Sequence, residues 1–502
     1  MGRTASLWAG AAALAFGATG ALAQGGGGTL RIGVAQGLVA LDPHTSSLYS
    51  DVRVLQQIYR GLLTTDPETL APVGDMAESW EVSEDGLVWT VRLREGLTFH
   101  DGTALTASDV VYSLNRIRDE ATGATLRSDL EPVESVEAVD DLTVRIALAR
   151  PYGVLAAVLA TPVWAAIVPE EGGDLVAEPV GSGPFRFVGQ IERTSISLER
   201  FEDFHDPERP LLDAVEFVVV PDESARVAAL LSGQVDLLDA VSLPLAGQVE
   251  AAPGVSLLAY ESAWVDEFGM NTQRPPFDDV RVRRAIAMAI DKEAVAQAAT
   301  MGRGAVAHTM VSASSIPVEV TPLPHDPEAA RALLAEAGVE DLSFEFAPCG
   351  GTAFPHMMRA AEVIAENLRA VGIDARNVTL EAGVWGQRVV TDRDYDAFVC
   401  GLVNGVDPDQ KTFRYFSREG VYNFSGFEPS DELQALLERG REETDPAVRS
   451  DIYSEAWQIL VDEAPWVPLY VVPGLMALSD RVEGFRTTPD SDLVLTDVRL
   501  VD

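Results

Sequence analysis

Residues 75–114, DMAESWEVSEDGLVWTVRLREGLTFHDGTALTASDVVYSL, constrain the fold more than any other stretch. Leu87, Trp89, Val91 and Leu93 recur at period two, so they fall on one face of a strand. Asp85-Gly86 supplies the hairpin turn before it. His100-Asp101-Gly102 makes a second turn, and Thr106 or Ser108 can cap a helix that begins near Asp109. The run predicts a hairpin, an ordered loop and a capped helix, and no chemistry follows from those elements alone.

A chain of 502 residues exceeds what one hydrophobic core organises, so two or more lobes are expected. Lys and Arg total 37 against 78 Asp and Glu, a formal charge of −41. Such a surface repels nucleic acid and anionic lipid, and it reads as a solubilising coat. Lysine occurs only at Lys292 and Lys411. At the N-terminus, Arg3, the apolar stretch Leu7 to Phe16 and Ala21-Leu22-Ala23 read as a secretory signal over residues 1–23, with Gln24 as the first mature residue. No Cys follows the cleavage site, so a free periplasmic protein rather than a lipid-anchored one is expected.

Further along, Leu30 to Val34 reads as a strand ending at Leu41-Asp42-Pro43, and residues 52–63 as a helix closing at Gly61. Residues 133–148 form a second hairpin across Asp140-Asp141, and Gly181-Ser182-Gly183-Pro184 is a tight structural turn. Trp264 to Asn271 is a strand at an interlobe crossing. Beyond it helices and strands alternate: Val280 to Ile290, a helix started by Asp326-Pro327, Leu342 to Ala347, 355–370 stopped by Gly372, Tyr395 to Val399, helices capped by Ser430 and Asp445, and Trp466 to Val472. This alternation predicts a mixed α/β lobe near 265–478 after an α+β portion. Cys349 and Cys400 each end a predicted strand; whether they pair is open from sequence.

No H-E-x-x-H, C-x-x-C, P-loop or G-x-S-x-G occurs. None of the six His pairs with another His or a Cys at ligand spacing, so no metal site, no cofactor and no enzyme are expected.

The wording of 75–114 closely resembles the signature segment of the extracytoplasmic solute-binding proteins of ABC importers, in the peptide/nickel class (family 5). Similar matches run through LRIGVAQGLVALDP at 30–43, GSGPFRFV at 181–188, PPFDDVRVRRAIAMAIDKEAV at 275–295, HDPEAARALLAEAG at 325–338 and residues 431–470. The resemblance implies a bilobal periplasmic-binding-protein fold with an enlarged, split first lobe. Its core would comprise residues 24–47, 170–262 and 479–502, its accessory subdomain 48–169, and the second lobe 263–478. A solute would be held in the interlobe cleft and handed to membrane permease subunits by a monomeric receptor that does no chemistry on it. A secreted hydrolase with an unrecognised site, or a binding protein used for sensing or chaperoning, are the alternatives.

Matching positions imply ligand-binding candidates. Leu41 and Asp42 follow the first strand; Phe268, Met270 and Asn271 lie on the crossing strand; Trp385 occupies a position that is often aromatic in the family. Asn404, Gly405 and Asp407 lie on a second-lobe loop, with Asn423 beyond. Relatives that bind free peptides place a carboxylate where Asn404 stands and an Arg where Gly351 stands. Both countercharges of a free dipeptide are missing there, and a buried zwitterion without them is costly. The expected ligand is a peptide, peptide-like or other polar small solute; nickel is disfavoured because no His lies near 404–409.

Overall fold

The computed structural model describes residues 27–161, 163–172, 175–176, 178–339, 341–351, 354–402 and 405–502. The secretory leader expected at 1–23 and the candidate Asn404 lie outside the described residues.

One 11-stranded mixed sheet runs through both lobes. Its spine is a pair of long antiparallel strands, Val255–Met270 and Trp466–Ser479. Val255 to Glu261 pair with Ser479 to Pro473, and Val265 to Gly269 pair with Val471 to Trp466; the register shifts between Glu261 and Val265. On one side of that shift the sheet continues through Leu237–Leu238, Thr29–Val34, Ala214–Val219, Ser195–Arg200 and Phe185–Ile191. On the other it continues through Ala397–Leu402, Ser343–Pro348 and Asp374–Asn377. A register break within a two-strand crossing bends and twists the ribbon locally, so the lobes can turn about it. The expectation of a crossing strand at 264–271 captured only the second half of Val255–Met270.

The cores separate in the same way. Apolar side chains from Phe268 to Tyr470 form one cluster. Those from Leu62 to Ile167 form another, and a third joins Leu30, Ile32 and Phe217 to Met476 and Val498.

The hairpin–helix run folds as its pattern dictates. Ala77–Val82 and Val88–Leu93 pair antiparallel, with Trp89, Val91 and Leu93 buried. Gly86 takes φ +72° in the turn. Helix Ala107–Arg118 begins with a capping box in which Thr106 and Asp109 satisfy each other's backbone N–H groups. The hairpin Val133–Asp140 and Thr143–Leu148 completes a four-stranded sheet. The helix expected at 52–63 runs instead over Tyr49–Ile58. Its end is packed by the Gly181-Ser182-Gly183 turn: a Cβ on Gly181 would lie 2.0 Å from the Ile58 carbonyl oxygen, so only glycine permits the approach. His100 fixes that turn by bonding the Gly183 carbonyl through Nε2 at 3.0 Å.

Cys349 and Cys400 form a disulfide with Cα atoms 5.2 Å apart. It ties the ends of two parallel neighbours, which pair through Phe346 with Ala397 and Pro348 with Val399.

Candidate functional site

A cavity of about 320 Å³ lies between the lobes. The first lobe contributes Tyr49, Val52, Leu126, Asp129, Trp164, Thr488, Asp490 and Asp492. The second contributes Ile316, Gly405, Val406, Asp407, Gln410, Arg414, Tyr422 and Arg449. Most of the wall is apolar, with Ala156, Ala157 and Ala160 leaving room beside Trp164. A second depression near Gly86 and Glu443, about 490 Å³, opens more widely to solvent and offers less enclosure.

Contacts across the cleft hold the lobes together. Arg414 pairs with Asp129, both largely buried. The Gly153 N–H donates to the Arg441 carbonyl at 2.7 Å. The Arg441 guanidinium lies 5.2 Å from the Tyr152 ring centroid. At the far edge Arg303 grips Glu250 through two hydrogen bonds of 2.8 and 2.7 Å.

Local structure positions the walls. Asp407 caps helix Pro408–Phe416, accepting the Asp409 N–H at 2.9 Å, and is clamped by Arg449 at 2.7 and 2.8 Å. The Arg449 Nε is spent on the Gly440 carbonyl. On the facing wall the Trp164 indole donates to the Ser46 carbonyl at 2.7 Å; on the second-lobe wall Tyr422 stacks on Tyr415. Lys411 donates to the Ala263 carbonyl at 2.8 Å, where the register shifts. Burial lowers its ammonium to about 8, opposed by the carboxylates of Asp490 and Glu267. Burial and Asp492 raise the Asp490 carboxyl to about 6, opposed by Lys411 and the Gly405 N–H.

Of the residues singled out in the sequence, Gly405 and Asp407 line this cavity. Gly405 has φ +64°, and a Cβ there would strike the Gln410 side chain. The others are spent elsewhere. Asp42 pairs with Arg116 and bonds the His44 N–H, and Leu41 packs on the first-lobe core. Phe268 and Met270 are fully buried in the second-lobe core. The Asn271 carboxamide donates to the Arg393 and Tyr395 carbonyls at 3.1 and 3.0 Å. Trp385 donates to the Ala347 carbonyl and packs edge-on against Phe398. Asn423 folds its own loop through Phe427. Sequence reasoning missed Tyr49, Asp129, Trp164, Arg414, Asp490 and Asp492, which come from segments far apart in the chain and share no local signal.

Two lobes joined by a crossing ribbon, closed over an enclosed cavity, define a solute-binding receptor. The family model for bacterial extracellular solute-binding proteins, family 5 Middle, matches residues 71–424, and the chain belongs to that family. The chain is 28% identical over 483 residues to the glutathione-binding protein GsiB of Escherichia coli O1:K1, covering 93% of this chain and 94% of the relative. It is similar to the structure of HbpA2 from Haemophilus parasuis, with a TM-score of 0.85 at 27% identity over 94% of this chain and 100% of the other. It is also similar to AgaA of A. tumefaciens R10 in complex with agropinic acid, with a TM-score of 0.78 at 29% identity over 95% and 99%. These are binding proteins rather than enzymes. The protein is thus an extracytoplasmic receptor that captures a peptide or other polar small solute and delivers it to an ABC importer. No helix among the described residues is long and apolar enough to cross a membrane.

Proposed function

We propose that the interlobe cavity is the solute site and that it takes one small polar or peptide-like molecule rather than a long peptide. The observation that carries this is an enclosed volume of about 320 Å³ walled by both lobes. Ligand sites span ~300–1,000 Å³, so this one is at the small end. Glutathione and agropinic acid, the solutes named for two relatives, are small polar molecules in keeping with that size. The receptor acts as a monomer in the periplasm and performs no reaction on its solute. Residues 24–47, 170–262 and 479–502 form the first-lobe core, 48–169 its accessory subdomain and 263–478 the second lobe. Gly405 and Asp407, which line the cavity, contact the solute.

Native mass spectrometry of gently purified protein, with intact and denatured masses compared, tests the assignment. A co-purified small molecule released on denaturation supports it. A bound peptide many residues long overturns it.

A further inference from the structure

Asp490 stands out among the groups facing the cavity. It belongs to the chain's last segment, on the first-lobe wall. Part of the residue opens to the cavity, but its Oδ1 is shut from solvent and has no hydrogen-bond partner. Leaving a buried acceptor unmet is costly, and such atoms are uncommon in folded proteins. Gly405 of the opposite lobe lines the same cavity and its backbone N–H favours the ionised carboxylate, so Asp490 sits where the two walls meet.

The neighbouring donors are committed. The Thr488 hydroxyl is given to Asp492 at 2.7 Å, and the Gln56 carboxamide reaches Asp492 at 3.0 Å. Arg449 is clamped on Asp407, Arg414 on Asp129 and Arg53 on Asp239. The Lys411 ammonium attracts Asp490 from behind the wall while donating to the Ala263 carbonyl. Asp129 is therefore neutralised by Arg414 from the opposite wall and Asp407 by Arg449 on its own, whereas Asp490 and Asp492 form no ion pair among the described residues. A neutral donor from a solute would meet the unpartnered oxygen but leave the excess negative charge. A cationic nitrogen would do both.

Resting on the reading of the cavity as the solute site, we infer that Asp490 sets the specificity of the receptor: its Oδ1 accepts an N–H from an ammonium or guanidinium group of the solute. The first lobe supplies this carboxylate and Gly405 of the second lobe lines the cavity with it, so the cation is gripped as the second lobe closes.

The test compares wild type, Asp490→Asn and Asp492→Asn by calorimetry and thermal shift. The probes are matched pairs: triglycine and N-acetyltriglycine, N-acetyl-Gly-Arg and N-acetyl-Gly-citrulline, glutathione and N-acetylglutathione. Any solute found by native mass spectrometry is added. Asn keeps the shape and removes the charge, and unliganded melting confirms folding. The expected result is that a cationic member binds wild type while its neutral partner binds at least ~10-fold more weakly, and that Asp490→Asn removes that preference. Equal binding of both members, or unchanged affinity in Asp490→Asn, would mean that water alone meets the oxygen and would overturn the inference. A preference lost only in Asp492→Asn would overturn it as well. Absence of any bound solute, in the panel and in native mass spectrometry alike, overturns the cavity reading itself and the role of Asp490 with it.

Discussion

Gly153 touches the second lobe through its backbone alone, and an alanine there should wedge the cleft open. Its φ lies outside the left-handed region, so the first lobe accepts alanine without backbone strain. The added Cβ would stand 1.7 Å from the Glu443 carbonyl oxygen, where real Cβ atoms essentially never come within 3.0 Å. Both clashing groups are fixed to the backbone, so no side-chain rotation relieves the overlap and the lobes must part at this point. Parting removes the Gly153–Arg441 hydrogen bond, about 1 kcal/mol. It loosens Arg441 from the Tyr152 ring, about 0.5–1 kcal/mol. Stretching the largely buried Arg414–Asp129 pair adds roughly 1 kcal/mol more.

The closed state thus loses about 3 kcal/mol, and since the solute is gripped only there, Gly153→Ala should weaken its binding by about 100-fold. Calorimetry with the co-purified solute reads the affinity, and small-angle scattering reads the opening. Melting of the unliganded protein should hardly change, because the clash lies between lobes and not within a core. Wild-type affinity in Gly153→Ala would refute the reasoning, since the closed geometry would then not be the binding state.

Two other outcomes follow from packing and charge. Reducing the Cys349–Cys400 bond opens a 51-residue loop, and the chain-entropy relation gives a loss of about 4 kcal/mol, read by denaturant unfolding with and without reductant. The second concerns unliganded stability against pH. The folded protein holds the Asp490 carboxyl near 6 against an ordinary 3.8, so it binds the proton more tightly than the unfolded chain does. Wild type therefore loses stability from this group as pH rises from about 4 through about 6. Asp490→Asn escapes that loss, so its stability relative to wild type should improve by up to about 3 kcal/mol between pH ~4 and ~7. A difference between the two proteins that does not vary with pH would contradict this.

Local pattern made much of the fold legible. The hairpin at 77–93, the helix at 355–370 and the Asp326 cap each satisfy a rule contained in a few neighbouring residues. The long crossing strands did not show fully, because Pro473-Gly474 reads as a stop. In the fold that glycine is a clearance device: a Cβ at Gly474 would meet the Tyr260 ring at 2.1 Å. The site was less legible still. Gly405 and Asp407 follow a strand end and announce a loop, whereas Phe268, Met270 and Trp385 are residue types that serve cores as readily as clefts, and here they are buried. The wall pair Asp129–Arg414, and the cavity shared by Gly405 and Asp490, bring together residues from distant parts of the chain, and no local spacing encodes such meetings.

Lys411 is withdrawn from water and Lys292 is half-buried, and burial lowers the ammonium of each to about 8. Lys411 stands at the crossing beside Asp490, between the parts that must separate when solute leaves, while Lys292 sits within the second lobe. An amine-reactive acyl reagent at mildly alkaline pH therefore finds nucleophiles that are chemically ready but sterically shielded. Peptide mapping of the acylated protein would compare the two positions, with Lys292 as the internal control. The acylation rate at Lys411 then becomes a clock for how often the unlabelled, unmutated receptor breathes.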